Sequence, residues 1–484
     1  MNKPIRRLSF LVAALFCALL ISTTWIQFVT AKSLDDRPGN RRTLLDSYSR
    51  ERGAILVNGT PIAKSVPTKD ELKWLRTYPQ AKLYSQVTGY YSFTYGAGYG
   101  LEGAENSLLS GQSDKLFYRR LLDMVTGKPP SGASLELTIN PKAQAAADKA
   151  LGNQRGAVVA LDPKTGAILA MVSHPQYDPS TLSGHNLDSV AKAWKALNAD
   201  PGRPAVNRAI AGDLYPPGST FKLITAAAAL SSGKYTEDSQ IPGPATLVLP
   251  QSTVNLPTDD RQPCGPGDKT TLTHALEISC NTAFGSLGLT LGGDALRAQA
   301  AKFGFGDSLQ VPMRVTPSVV PPLNAPQSAQ AAIGQYDVRV TPLQMAMVSA
   351  AIANKGTVMK PYLVKDTRSS NLDVIDQSQP EQLSQAITPD VAAALTRMMV
   401  TVVQSGTGTP AQIPGIQVAG KTGTAQHVKG GNPHAWFTAF APASDPTIAV
   451  AVVVENGGNA GSEAFGGTVA APIARAVMEA VLKP

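Results

Sequence analysis

Histidine and cysteine are scarce in this chain: it holds five histidines and three cysteines in 484 residues. The histidines are scattered without metal-ligand spacing, and no His-Glu-x-x-His run occurs, so neither a metal nor a cofactor is expected. Cys17 lies inside an apolar run, which leaves Cys264 and Cys280, sixteen residues apart, either bridged or as two free thiols. Repeats of about 20 to 50 residues are absent, which excludes solenoids and propellers. Positive charge is in only modest excess. The formal net charge is +8, and Lys3, Arg6 and Arg7 form an acid-free cluster before the first apolar run, leaving +5 for the rest. That bias suits an anionic substrate or a membrane surface and is too weak to point to nucleic acid.

What is present is a large apolar fraction, 43% of the residues, on a chain long enough for more than one domain. A disordered chain is excluded. Residues 8–29, "LSFLVAALFCALLISTTWIQFV", carry no charge over 22 residues, the length of a membrane-spanning helix. The basic residues before it place a short tail, residues 1–7, in the cytoplasm and the rest outside. A cleaved signal peptide ending at "VTA" is the competing reading, but the run exceeds the ~7 to 15 apolar residues of such a segment. Either way the bulk of the chain is exported to a compartment that permits disulfides. A Cys264–Cys280 bridge is the expectation, since closing a loop of this length stabilises by ~3 kcal/mol.

Residues 30–140 read as a polar linker and a first domain, with "GAILVNG" and "SLELTI" as strands around aromatic, Gly-rich text. A second domain spans residues 141–484. It opens with a helix, "PKAQAAADKAL", and a hairpin, "GAVVALDPKTGAILAMVS", and closes with the strands "IQVAGKTGTAQ", "HAWFTAFAP" and "TIAVAVVVENGG" before an Ala-rich helix. Strands at both ends around a largely helical insertion imply an α+β domain: an antiparallel sheet flanked by helices.

"YPPGSTFKLITAAAAL", residues 215–230, is a chain break followed at once by an apolar helix. Ser219 and Lys222 share a helix face, so the spacing puts the lysine amine beside the serine hydroxyl. A serine hydroxyl becomes a nucleophile when a neighbour takes its proton, and burial or a second cation drives a lysine towards the neutral form that can do so. The bland reading is an ordinary helix start. Ser-x-x-Lys also occurs at Ser189 to Lys192 and Ser231 to Lys234, but only the middle copy opens a long apolar helix.

Two further motifs follow it in order. "ISCNTAF" gives Ser279-x-Asn281 sixty residues on, and "AGKTGTAQ" gives Lys421, Thr422, Gly423 and Thr424 a further 142 after Ser279. Ser279 can relay a proton, Asn281 can hold a substrate amide and Lys421 can supply positive charge. Gly423, in strand-like text, leaves room for an extended peptide along the edge. Decoys at Ser369 to Asn371 and at Lys164-Thr165-Gly166 sit in a polar stretch and a hairpin turn.

The ordered triplet resembles that of the penicillin-binding proteins. An anchor followed by "RGAIL" at Arg52 and "GYGLEGAENSLLSG" at Gly98 is similar to the class B branch, with a non-catalytic pedestal ahead of a penicillin-binding domain. After "RGAIL" the usual acidic-arginine pair is replaced by "VNG". "NRAIAGDLYPPGSTFK", "AAIGQYDVRVTPLQMA" and "KTGTAQ" extend the likeness to the small class B enzymes of actinobacteria associated with division and septum formation. The resemblance implies a peptidoglycan D,D-transpeptidase. In it Ser219 is acylated by the D-Ala-D-Ala end of a stem peptide or by a β-lactam, the Ser219 and Thr424 backbone amides form the oxyanion hole, and Thr422 and Thr424 hydroxyls hold a carboxylate. It also implies a membrane-bound life with divisome or glycan-polymerase partners. Residues 30–140 are too few for a glycosyltransferase. A hydrolase of the β-lactamase type is disfavoured, because no Glu-x-x-x-Asn loop follows Ser279 and "VTPSVVPPLNAPQ" contains no carboxylate. A D,D-carboxypeptidase, a β-lactam sensor or a divisome scaffold could carry the same triplet.

Overall fold

The computed structural model describes residues 3–30, 48–117, 125, 131–426 and 430–483. Helix α1, Lys3–Trp25, continues through Ile26–Thr30 and buries none of its side chains. Among the described residues it is the one helix long and apolar enough to cross a bilayer.

Five antiparallel strands form the central sheet: β1 (Gly156–Leu161), β2 (Ile168–His174), β3 (Ala419–Ala425), β4 (His434–Ala441) and β5 (Ile448–Val454). Their spatial order is β3-β4-β5-β1-β2, so β3 lies at an edge. Strands covered on both faces read as continuous apolar runs, as "IAVAVVV" of β5 does. Its alternate residues feed two cores. Val450 and Val452 join Ala143, Ala147 and Leu151 of the helix Pro141–Leu151 and Ala470, Ala474 and Val477 of the helix Gly466–Leu482. Ala449, Ala451 and Val453 join Leu223 and Ile224 of α2 (Lys222–Ser231), and Met345 and Val348 of the helix Pro342–Ala353. Each fully buried valine contributes ~1.5 to 3 kcal/mol, so a polar residue on either face would break the layer it enters.

A second sheet of six strands contains Ile55–Val57, Thr60–Pro67, Trp74–Thr77 and Ser134–Leu137, and is completed by Val364–Arg368 and Val374–Gln377 from far along the chain. The "VNG" that replaces the expected acidic-arginine pair makes the turn between its first two strands. Asn58 and Gly59 stand at φ 48° and 73°, the left-handed values a tight hairpin needs. Arg52 and Glu102 pair at 2.6 Å, and Arg76 takes the other carboxylate oxygen at 2.6 Å. Burial pushes the Glu102 carboxyl up, but the two guanidiniums override it and hold it below its ordinary value.

Candidate active site

Ser219 sits in a tight turn, Gly218–Phe221, that runs into α2 at Lys222. The residues before it are pinned in place. Tyr215 and Val340 exchange backbone hydrogen bonds of 3.0 and 2.8 Å. The Tyr215 hydroxyl donates to Glu455 Oε1 at 2.7 Å, and Trp436 Nε1 donates to the Pro216 carbonyl at 3.1 Å. Arg208 and Arg155 hold the same Glu455 at 2.7 and 3.1 Å. Gly218 has φ 53°, and a Cβ there would stand 2.6 Å from the Thr424 carbonyl oxygen. Only glycine lets the turn come this close to β3.

Gly423 answers from the strand, where a Cβ would meet Thr220 Cγ2 at 2.9 Å and the Pro217 carbonyl oxygen at 3.0 Å. The sequence suggested that this glycine clears room for an extended substrate. Its missing side chain makes room for the serine turn as well.

Ser279 and Asn281 lie at the junction of α3 (Leu272–Glu277) and α4 (Asn281–Leu291). Ser279 has φ 61°, a left-handed conformation disfavoured for any residue with a Cβ. In that conformation both of its oxygens meet Lys222, whose Nζ donates to the Ser279 carbonyl at 2.6 Å and to Asn281 Oδ1 at 2.8 Å and lies 3.2 Å from Ser279 Oγ. Among the described residues no side chain is hydrogen-bonded to Ser219 Oγ, and the hydrogen bonds of Lys222 run to residues 279 and 281 instead. The physical reason is burial. A fully enclosed amine must satisfy its N–H groups, and residues 279–281 offer three acceptors.

Lys421 on β3 is equally buried, with Nζ 3.2 Å from the Thr422 carbonyl and 3.3 Å from Thr422 Oγ1. The Thr422 hydroxyl is also 2.7 Å from that of Thr407. Ser219, Ser279, Asn281 and Thr424 are half-buried, so the hydroxyls and the amide meet solvent while both amines lie beneath them.

Burial is the largest force on the two lysines. It pushes the Lys222 amine well below its ordinary range, reinforced by the charge of Lys421 and opposed by Asp259. Burial brings Lys421 down to about 7, again opposed by Asp259. A lysine held neutral beside hydroxyls can accept a proton, and a second amine that titrates near neutrality can attract an anion.

All eight residues picked from the sequence therefore gather at one place, where α2, the α3–α4 junction and the edge strand β3 meet. Three supports were missed. Glu455 and Thr407 lie in text with no motif. Asp259 donates nothing to any signature, although an acid five residues before Cys264 was within reach of Asn281 once that cysteine was paired with Cys280. The structure contains that disulfide, with a Cα–Cα distance of 6.1 Å.

Residues 156–479 match the family described as the penicillin binding protein transpeptidase domain, and residues 52–135 match the penicillin binding protein A dimerisation domain. The peptidoglycan D,D-transpeptidase PbpA of Mycolicibacterium smegmatis is 46% identical over 493 residues, covering 100% of this chain and 99% of that relative. The protein of the same name from Mycobacterium tuberculosis is 46% identical over 495 residues, with the same coverage of both chains. Among solved structures, the ceftriaxone acyl-enzyme complex of penicillin-binding protein A from M. tuberculosis superimposes with a TM-score of 0.87 at 45% identity, covering 91% of this chain and 100% of that one. With a family match over most of its length and relatives this similar from end to end, the chain belongs to the penicillin-binding protein transpeptidases, a family of serine acyltransferases.

Proposed function

We propose that this protein cross-links peptidoglycan through an acyl-enzyme on Ser219. Ser219 Oγ attacks the carbonyl of the penultimate D-Ala of a stem peptide and passes its proton to neutral Lys222. The oxyanion takes hydrogen bonds from the backbone N–H groups of Ser219 and Thr424. The C–N bond then breaks, the proton reaches the departing D-Ala through the Ser279 hydroxyl, and the acyl group stays on Ser219. The amine of a second stem attacks this ester, its proton passes by the same relay to Ser219 Oγ as the acyl C–O bond breaks, and the acyl group leaves as the amide cross-link. Asn281 holds the substrate amide, while Lys421 with the Thr422 and Thr424 hydroxyls holds the terminal carboxylate. β-Lactams enter by the first half of this path and remain.

The observation that carries this reading is the pair of fully buried lysines beneath two half-buried serines and an amide, with Lys222 bonded directly to Ser279 and Asn281. The wider setting we propose follows the sequence reading. Residues 8–29 anchor the chain with residues 1–7 in the cytoplasm, residues 30–140 form the linker and pedestal, residues 141–484 act outside the membrane, and the work is done in division and septum formation with divisome or glycan-polymerase partners.

The test is a reaction of the detergent-solubilised protein with a stem peptide ending in D-Ala-D-Ala and an amine acceptor. D-Ala release with an amine-linked product is expected. S219A should give neither, and K222A should slow acylation ~10²- to 10⁴-fold. Release of D-Ala with hydrolysed peptide alone would make the protein a carboxypeptidase, and a K222A rate equal to the parent's would remove the lysine from the first step.

A further inference from the structure

The Asn281 amide is held from two sides. Lys222 Nζ donates to Oδ1 at 2.8 Å; the Asp259 carboxylate can only accept, and takes a bond from Nδ2 at 3.0 Å. An amide nitrogen carries two N–H donors, and this arrangement uses one of them. The other stays available for a substrate carbonyl.

Asp259 is exposed, yet the backbone on both sides of it is fixed. Ahead of it, Asn255–Pro257 pairs with Thr246–Val248. Next to it, Thr258 is buried, with its amide donating to the Ala245 carbonyl at 3.0 Å and its hydroxyl to the Gln262 carbonyl at 2.8 Å. Beyond it, the Cys264 amide donates to the Gly243 carbonyl at 2.8 Å, and the Cys264 sulfur is bonded to Cys280, the residue between Ser279 and Asn281. The bridge thus fastens the loop carrying Asp259 to the segment carrying Asn281.

We propose that Asp259 is a positioning residue of this site, orienting the Asn281 amide for substrate and serving as the counter-charge of the buried lysine pair; the proposal rests on the acyl-enzyme reading above. Lys421 from β3 and Asp259 from its loop act electrostatically on Lys222, and Asp259 acts on Lys421 as well. Asp260 and Arg261 follow Asp259 on the same exposed loop. Removing the carboxylate takes away a negative charge that favours the protonated amines, so both lysines lose their protons at lower pH.

Three variants separate the two roles: D259A removes both the acceptor and the charge, D259N keeps an acceptor oxygen, and D259E restores charge. The second-order rate constant for acylation by a fluorescent penicillin, followed across pH with the full-length protein, is the readout. D259A should acylate about tenfold more slowly at its optimum, the worth of one hydrogen bond to a charged group. D259N should keep most of the rate while its whole pH profile moves to lower pH, and D259E should return the profile towards the parent's. D259N replaces an exposed side chain with one of equal size, which keeps the test readable if D259A fails to fold. Profiles of D259A and D259N that superimpose on the parent's, or equal slowing of both with no displacement in pH, would overturn the proposal. Mapping the adduct in the parent keeps the two ideas apart. An adduct on Ser219 with unaffected Asp259 variants defeats only this inference, whereas an adduct elsewhere defeats the acyl-enzyme reading beneath it.

Discussion

Two lysine amines without solvent are a burden on the folded state. Lys421 loses its proton near 7 when folded but near the ordinary 10.5 in the unfolded chain, so between those values the unfolded chain binds the extra proton. Stability therefore rises with pH across that window: the penalty is full below about 7 and fades as pH approaches 10.5. Replacing Lys421 with Met removes the titrating group. K421M should gain melting temperature relative to the parent below pH 7, and the gain should shrink steadily as the pH is raised, while capture of substrate carboxylate is lost. Calorimetry across pH checks this. A difference between the two proteins that does not change with pH would mean that the buried amine titrates alike in both states. Lost contacts to Thr422 add an offset, and it is the slope that reports the charge. On the proposed reading Lys421 gives up stability to hold a carboxylate, a common cost of activity.

At the scale of elements, the parts with local signals were legible. Asn140 caps Pro141–Leu151 by accepting from Lys142 and Ala143, and the hairpin of β1 and β2 turns at the Lys164-Thr165-Gly166 decoy, where Gly166 has φ 82°. The three ordered motifs were legible because each carries a fixed spacing. What escaped is held by long-range contact. Strands Val364–Arg368 and Val374–Gln377 join a sheet begun near the other end of the chain, Arg76 is the second partner of Glu102, and Glu455 clamps the turn before Ser219; none of these leaves a local trace. The expected bridge between Cys264 and Cys280 joins two such elements. Its reduction should lower the melting temperature by the equivalent of ~3 kcal/mol. It should also slow acylation, since it frees the loop of Asp259 from the α3–α4 junction. Reduced protein that melts lower but acylates at the unreduced rate would leave the bridge as a staple alone.

Over the whole molecule, residues 156–174 and 419–454 fold into one sheet that separates two cores, and the helical segments between them build the wall opposite its edge strand. The serine turn enters from that wall, and α1 stands apart from the chemistry with no buried side chain. An assembly drawn from such distant segments has one purpose in this reading: to hold a single hydroxyl over two dry amines. The direct measurement is mass mapping of the full-length, detergent-solubilised protein after incubation with penicillin G. One covalent adduct is expected, on the peptide holding Ser219, and it should be absent from S219A at an unchanged melting temperature. An adduct on Ser189, Ser231 or Ser279, or full labelling of S219A, would contradict the assignment.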